Sequence, residues 1–307
     1  MAQTPTLAPS GRRSSWLTGW GKSETFVAWL FLLPSLLGFI TFYAVPMVRG
    51  IMISFTDWDL LTEPTNIGLE NYTTMFQDED VWHSLWVTIQ YVLWNIPLQT
   101  VIAVLVAVMM DRFTKATLVR GLILLPWLMP NVVVGLLWLW LLDPSLGLIN
   151  VTLEGMGFDA IPFLNQTSTA IATIAGINIW RHMGYSALLI FAGIQTIPGS
   201  VYEAAAIDGA SEVRQFFTIT IPLLRPVLVF VLITSIIGSF QIFDTVAITT
   251  GGGPVNATEV MNWLIYEQAF ERFNMGYATT VSIFLFTILV IVSLLQMWLL
   301  RGNESDL

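Results

Sequence analysis

Ile197-Pro198-Gly199-Ser200-Val201-Tyr202-Glu203-Ala204-Ala205-Ala206-Ile207-Asp208-Gly209-Ala210-Ser211, running on to Ile219-Thr220-Ile221-Pro222, is a polar, turn-rich island between two long apolar runs. Pro198 and Gly199 break the preceding run, and Ser200 with Glu203 three residues later predicts a capping box that starts a helix. Gly209 is expected to end that helix, Ser211 to cap a second one through Phe217, and Pro222 and Pro226 to punctuate the return to apolar sequence. Two short capped helices joined at a glycine, on a loop between hydrophobic runs, read as a part made to touch another protein.

The runs on either side set the class. Of 307 residues, 55% are hydrophobic and 11% charged, and the mean hydropathy is +0.72, far more apolar than a soluble domain with about 25% charged residues. An all-α polytopic membrane protein follows. Against the ~20 residues that cross a bilayer, six spans emerge, roughly 26–46, 84–110, 121–142, 168–195, 226–248 and 277–300. Residues 25–300 read as one transmembrane domain, containing the 196–225 loop, between tails at 1–24 and 301–307. The first span is too long for a signal-peptide h-region and lacks a small-x-small cleavage site, so it reads as a retained anchor. The net charge of −9 argues against nucleic acid, and the absence of cysteine removes disulfides and thiolate sites.

Basic residues orient the chain. Arg12, Arg13, Lys22, Arg112, Lys115, Arg120, Arg214, Arg225 and Arg301 fall on one side, and Arg49 and Arg272 on the other. Both termini and the opening stretch are therefore expected in the cytoplasm. The opposite loops carry Asp57, Asp59, Glu63, Glu70, Asp78, Glu79, Asp80, Asp143, Glu154, Asp159, Glu259, Glu267 and Glu271; solvated loops explain this acidity, and contact with an external partner is the alternative.

The tail 1–22, rich in Ser, Thr, Pro and Gly, reads as disordered. Gly21-Lys22-Ser23 fails as a phosphate loop, because the required earlier glycine falls at Trp16 and no strand precedes it. Any ATP must be handled by another chain. Asn71–Phe76 is predicted to form an interfacial or packing helix. Gln90, Asn95 and Gln99 lie near one stripe of span two and face other helices, as glue or as solute contacts. In span three, Pro126 and Pro130 loosen the helix around Trp127 and Asn131, whose flat face and amide suit a sugar ring and its hydroxyls; an interfacial proline kink is the alternative. Span four holds Asn178, Trp180, Arg181, His182 and Tyr185. An arginine at that depth costs ~2.5–3.5 kcal/mol on insertion scales unless paired or hydrated, and Asp244 in span five is its natural candidate partner. His182 reads as structural or hydrated, and no metal is expected, since the only other histidine is His83. Thr234, Gly238 and Gln241 make one face of span five, either a tight helix interface or a pore lining. Thr250–Pro254 reads as a flexible turn.

Glu203-Ala204-Ala205, Gly209 six residues after the glutamate, Ile219 and Pro222 resemble the EAA signature of ABC importer permeases at every spacing, with Ile221 where leucine is usual. Gly193–Pro198, Ala206–Ala210, Phe240–Asp244 and Thr250–Pro254 look like the carbohydrate branch, close to the maltose and glycerol-3-phosphate permeases. The likeness runs from residue 25 to 300.

The resemblance implies a type I importer permease fold and a transport subunit rather than an enzyme. In that family the loop is a coupling helix docked on a cytoplasmic ATPase, a role that falls here on Glu203, Ala204, Ala205, Asp208, Gly209, Ile219 and Pro222. It also implies a second permease, two copies of an ATPase that use ATP and Mg, an external solute-binding protein, and the bacterial or archaeal inner membrane. This chain itself would bind no cofactor. The sugar contacts of the maltose permease subunit fall by motif matching on Trp127, Asn131, Tyr185, Thr234, Gly238 and Gln241, of which Tyr185 keeps its distance to the EAA glutamate. The cargo implied is a di- or oligosaccharide, with glycerol-3-phosphate or a glycerophosphodiester as the alternative. A secondary transporter using Arg181 and Asp244 as ion-coupling groups leaves the capped helices unused, and an intramembrane enzyme lacks a paired nucleophile and base.

Overall fold

A computed structural model describes residues 24–113 and 116–300. The predicted tails, with Gly21-Lys22-Ser23, Arg12, Arg13, Lys115 and Arg301, lie outside the described residues, except that Glu24 opens the first helix. Two compact units divide between residues 52 and 53.

In the first unit, α1 (Glu24–Phe39) continues through a π-helical turn at Ile40–Ala44 into α2 (Val45–Ile53). This span is longer than the predicted 26–46, because Pro46 does not end it. The N–H of Val45 bonds the carbonyl of Ile40, and the widened turn leaves room for the proline ring beside it. Phe39 and Tyr43 stack across that turn at 5.9 Å. The described side chains of α1 are exposed or nearly so and, Ser35 apart, apolar, Phe31 being 79% exposed, as suits a helix whose solvent is hydrocarbon.

The second unit begins with a short antiparallel pair, β1 (Thr56–Asp57) and β2 (Thr65–Asn66), in which Thr56 faces Asn66. The helices α3 (Glu70–Gln77), α4 (Glu79–Phe113), α5 (Thr117–Leu128), α6 (Asn131–Leu141), α7 (Leu148–Gly155) and α8 (Ala170–Ile194) follow. Then come α9 (Gly199–Ile207), α10 (Glu212–Gln215), a π-helical turn at Phe216–Thr220, α11 (Ile221–Leu223), α12 (Arg225–Phe240), α13 (Asp244–Thr249), α14 (Met261–Tyr266) and α15 (Met275–Leu300). Among the described residues three helical stretches are long and apolar enough to cross a membrane, α1–α2, α4 and α15, and up to six if bent pairs count as single spans. Span three is not continuous: α5 and α6 meet at 91°. Span five is interrupted as well, at Gln241-Ile242-Phe243 between α12 and α13.

On α4 the polar side chains face the interior and large apolar ones the exterior. Leu93, Trp94, Val101 and Leu105 of α4 are more than half exposed, whereas Ser84, Thr88, Asn95 and Gln99 on the same helix are buried. That inversion is the arrangement a lipid solvent selects. Ala103 and Ala107 of α4 and Ala187 of α8 are fully buried in one cluster with Met110 and Ile190, and such small residues let two helices approach closely. A methyl group at Gly184 would lie 2.1 Å from the carbonyl oxygen of Ile123, so the backbone of α5 lies directly on α8.

The predicted helix at Asn71–Phe76 is present as α3, in a packing role. Asn71 is buried and its Nδ2 donates to the carbonyls of Ser54 and Thr56 at 3.0 and 2.9 Å. The turn at Thr250–Pro254 is closely packed rather than a loose loop. Gly251 and Gly252 have φ of +55° and +83°, Thr258 Oγ1 donates to the carbonyl of Gly253 at 2.6 Å, and a methyl group at Gly252 would meet Trp263 Nε1 at 2.6 Å.

Candidate solute cavity and coupling loop

Proline chemistry makes the first break. Pro130 has no N–H to give α5, so that helix ends at Leu128, with Met129 and Pro130 extended at ψ of 140° and 141°. Asn131 then starts α6. At the second break Phe243 adopts φ −145° and ψ −60°, and Asp244 starts α13, which packs on α6. Asn131 Nδ2 donates to Asp244 Oδ2, so the first residues of α6 and α13 are joined.

Between α4, α5, α8 and α12, at the level of both breaks, lies a cavity of about 230 Å³. All six positions carried over from the permease resemblance line it: Trp127, Asn131, Tyr185, Thr234, Gly238 and Gln241. Trp127 and Tyr185 stack with centroids 4.6 Å apart and planes 10° from parallel. Thr234, Gly238 and Gln241 present the open side of α12, where a methyl group added at Gly238 would meet nothing within 4 Å.

Arg181 and Asp244 also line the cavity, but the expected pair between them is not a direct contact. Among the described residues the ion pairs are Arg112 with Glu212 and Arg272 with Glu267. Arg181 instead donates from Nη2 to the carbonyl of Met129 at 3.1 Å and from Nη1 to His182 Nε2 at 3.0 Å. The break supplies the reason: it exposes a carbonyl acceptor that a continuous helix would have used. His182 Nδ1 lies 2.9 Å from the carbonyl of Asn178, which makes Nδ1 the protonated nitrogen and leaves the Nε2 lone pair for the guanidinium.

A second set of lining groups went unassigned as a site in the sequence. Gln99 Nε2 donates to Ser186 and Ser235 at 3.1 and 3.3 Å, and Asn95 Nδ2 to Ser239 at 2.9 Å. These bonds tie α4 to α8 and α12, while Asn95 Oδ1 stays buried without a partner. Asn178 and Thr245 hydrogen-bond at 3.2 Å across α8 and α13. The signal available was the three-to-four residue recurrence of Asn178, Arg181, Tyr185 and of Ser235, Ser239. Gln90, predicted on the same stripe as Asn95 and Gln99, does not line the cavity.

The opening stretch folds beyond the C-terminal end of α8. Its first helix starts two residues earlier than the capping box predicts: Pro198 is the N-cap and no side chain caps it. Proline's fixed φ, here −62°, already sets the extended N-cap geometry, so Ser200 falls inside the helix. The far end matches the expectation. Gly209 has φ +76°, its N–H bonds the carbonyl of Ala206 and that of Ala210 bonds Ala205, the two bonds of a Schellman motif. Ser211 Oγ accepts from the N–H of Arg214 at 3.4 Å. Tyr202 and Thr220 hydrogen-bond at 2.9 Å, and Arg112 pairs with Glu212, fastening the loop to the end of α4. Glu203, Ala204 and Asp208 are exposed; Ala205 is half-buried, and Ile219 and Pro222 follow in the π turn and α11.

At the opposite end of α4, Glu259 is buried and accepts from Ser84 Oγ at 3.4 Å. Burial, and then the charges of Glu267 and Asp80, hold its carboxyl above the ordinary value.

Residues 99–304 match the family described as binding-protein-dependent transport system inner membrane component. The probable ABC transporter permease YesP of Bacillus subtilis is 35% identical over 289 residues, covering 92% of each chain. The sulfoquinovosyl glycerol transport permease SmoG of Agrobacterium fabrum is 32% identical over 94% of this chain and 95% of its own. The trehalose/maltose permease MalF of Thermococcus litoralis is 31% identical over 91% and 95%. In fold, the chain superposes on a crystal structure of a bacterial ABC transporter that imports alginate with a TM-score of 0.78, at 22% identity, covering 91% of this chain and 96% of the other. The broken spans, the polar-lined cavity and the exposed capped loop thus sit in a chain that belongs to the binding-protein-dependent inner membrane components, the permease subunits of ABC importers.

Proposed function

We propose that this permease holds a sugar, a di- or oligosaccharide, in the cavity between α4, α5, α8 and α12 during ATP-driven import by alternating access. The observation that carries the reading is the convergence of Trp127, Asn131, Tyr185, Thr234, Gly238 and Gln241 on that one cavity. Aromatic faces there suit the C–H face of a sugar ring. The amides and hydroxyls suit its hydroxyl groups, and the unpaired Asn95 Oδ1 is an acceptor for one of them. Relatives that transport trehalose/maltose and sulfoquinovosyl glycerol support a sugar. A second reading, glycerol-3-phosphate or a glycerophosphodiester, is favoured by the Brucella sn-glycerol-3-phosphate permease UgpA, 32% identical over 270 residues, and by Arg181 in the lining.

In this reading the chain pairs with an unlike second permease, receives solute from a binding protein at the acidic loops, and keeps both termini in the cytoplasm. The loop at 196–225 docks on one of two ATPase copies, which bind ATP and Mg, through exposed Glu203. A short helix fixed at both ends passes ATPase closure to the spans as a rigid-body movement. Uptake by the reconstituted importer tests the cargo: labelled maltose or trehalose is expected to enter, and entry of labelled glycerol-3-phosphate alone would favour the second reading.

A further inference from the structure

We propose that Arg181 is a positioning residue of the solute cavity: its guanidinium clasps the break between α5 and α6 onto α8 and thereby sets the place of Trp127. The proposal rests on the solute reading for its effect on transport, and on geometry alone for the clasp.

Met129 ends α5 in extended conformation, so its carbonyl points out of both half-helices, and Arg181 Nη2 takes it at 3.1 Å. The guanidinium is held in orientation from the other side, because Nη1 is bonded to His182 Nε2 and His182 Nδ1 to the carbonyl of Asn178 one turn back. Nε is buried without a partner, so the fork acts through its two terminal nitrogens. Tyr185 lies four residues after Arg181 on the same face of α8, and Trp127 two residues before Met129. The stack of Trp127 on Tyr185 at 4.6 Å is therefore a second point of the same clasp. Gly184, where a methyl group would strike Ile123 O, lets the two backbones come near enough to form it. Asp244 is engaged by Asn131 on the outer side of the break, so the guanidinium serves the inner half-span and the carboxylate the outer one. A lysine ammonium is a point donor on a flexible stem and does not reproduce an oriented fork.

The test uses the assembled importer in proteoliposomes, with second permease, ATPase and binding protein. Since the chain has no cysteine, Trp127→Cys with Tyr185→Cys gives the one thiol pair within this chain for a short bifunctional thiol reagent, read on this chain's own band. Adding Arg181→Lys or Arg181→Ala is expected to slow cross-linking by about tenfold, the scale of one charge-assisted hydrogen bond. In the chain with Trp127 and Tyr185 intact, Arg181→Lys is expected to lose uptake to the extent that Trp127→Ala does, with assembly retained. If Arg181→Ala fails to assemble, Arg181→Lys decides. Cross-linking at the unsubstituted rate in Arg181→Lys overturns the clasp, and full uptake in Arg181→Lys where Trp127→Ala is impaired overturns its role in transport. Full uptake in both Trp127→Ala and Tyr185→Ala instead removes the solute reading, and cross-linking alone then judges Arg181.

Discussion

Glycines in α8 separate two roles that look alike in sequence. At Gly184 an added methyl group meets the backbone oxygen of Ile123 at 2.1 Å, whereas at Gly176 nothing lies within 4 Å. Gly184→Ala is expected to destabilise the purified protein by about 1–3 kcal/mol through overpacking, while Gly176→Ala should be neutral or stabilising by up to about 1 kcal/mol. Thermal unfolding in detergent compares the two; equal melting points would contradict the close α5–α8 contact. Glu259 supplies a pH dependence. Its carboxyl value is raised by burial, then by Glu267 and Asp80, so the folded state favours the protonated form. Stability is then full below the ordinary carboxyl value and falls as pH rises through the raised one. Glu259→Gln, which stays neutral, should melt higher than the wild type at neutral pH, with the difference closing in acid; a lower melting point at neutral pH would contradict this. The sequence marks Arg181 and Asp244 as costly intramembrane charges and so as functional. It could not reveal their partners, because the Met129 carbonyl becomes an acceptor only when the helix breaks, and Asn131 reaches Asp244 only once two half-helices pack.

At the scale of elements, two kinds of punctuation behave differently. Pro126-Trp127-Leu128-Met129-Pro130 announces a weakened helix, and the 91° bend follows from the missing N–H of Pro130. The break at Gln241–Phe243 carries no proline or terminal glycine, and the apolar run through it reads as a continuous span; tertiary packing of α13 on α6 decides it. The capping box at Ser200 and Glu203 was a local signal overridden by its neighbour, since Pro198 already holds the N-cap conformation. Gly209 was legible because only its backbone conformation matters. With φ +76° and nothing within 4 Å of an added methyl group, the cost of substitution there is conformational, about 1–2 kcal/mol for a non-glycine residue in the left-handed region. Gly209→Val should therefore loosen the loop and reduce co-purification of the ATPase, and Gly209→Asn, which tolerates that region, should retain most of it. Equal loss in both would mean that the glycine is needed for room against the partner.

At the scale of the whole molecule, three apolar clusters hold the helices from Ile53 onward together, large apolar residues also face outward, and two interrupted spans bring polar side chains to one cavity. Composition and periodicity were enough for the class, since lipid-facing surface and span length dominate both. Single walls of the cavity were legible at Trp127 and Asn131 and at Thr234, Gly238 and Gln241, but their convergence only through the family's motif spacing, because the lining comes from helices distant in sequence and closes around bonds such as Gln99 to Ser235. Glu203→Lys should abolish uptake while leaving membrane insertion intact, read by transport and membrane fractionation; normal uptake would remove the loop from energy coupling. The claim that this chain carries the solute is tested most directly by sugar uptake into proteoliposomes holding the complete importer with Tyr185→Ala or Gln241→Ala. Each variant is expected to assemble with the ATPase yet import at least about tenfold more slowly, the scale of one lost polar or stacking contact. Import at the wild-type rate by both variants would contradict the account.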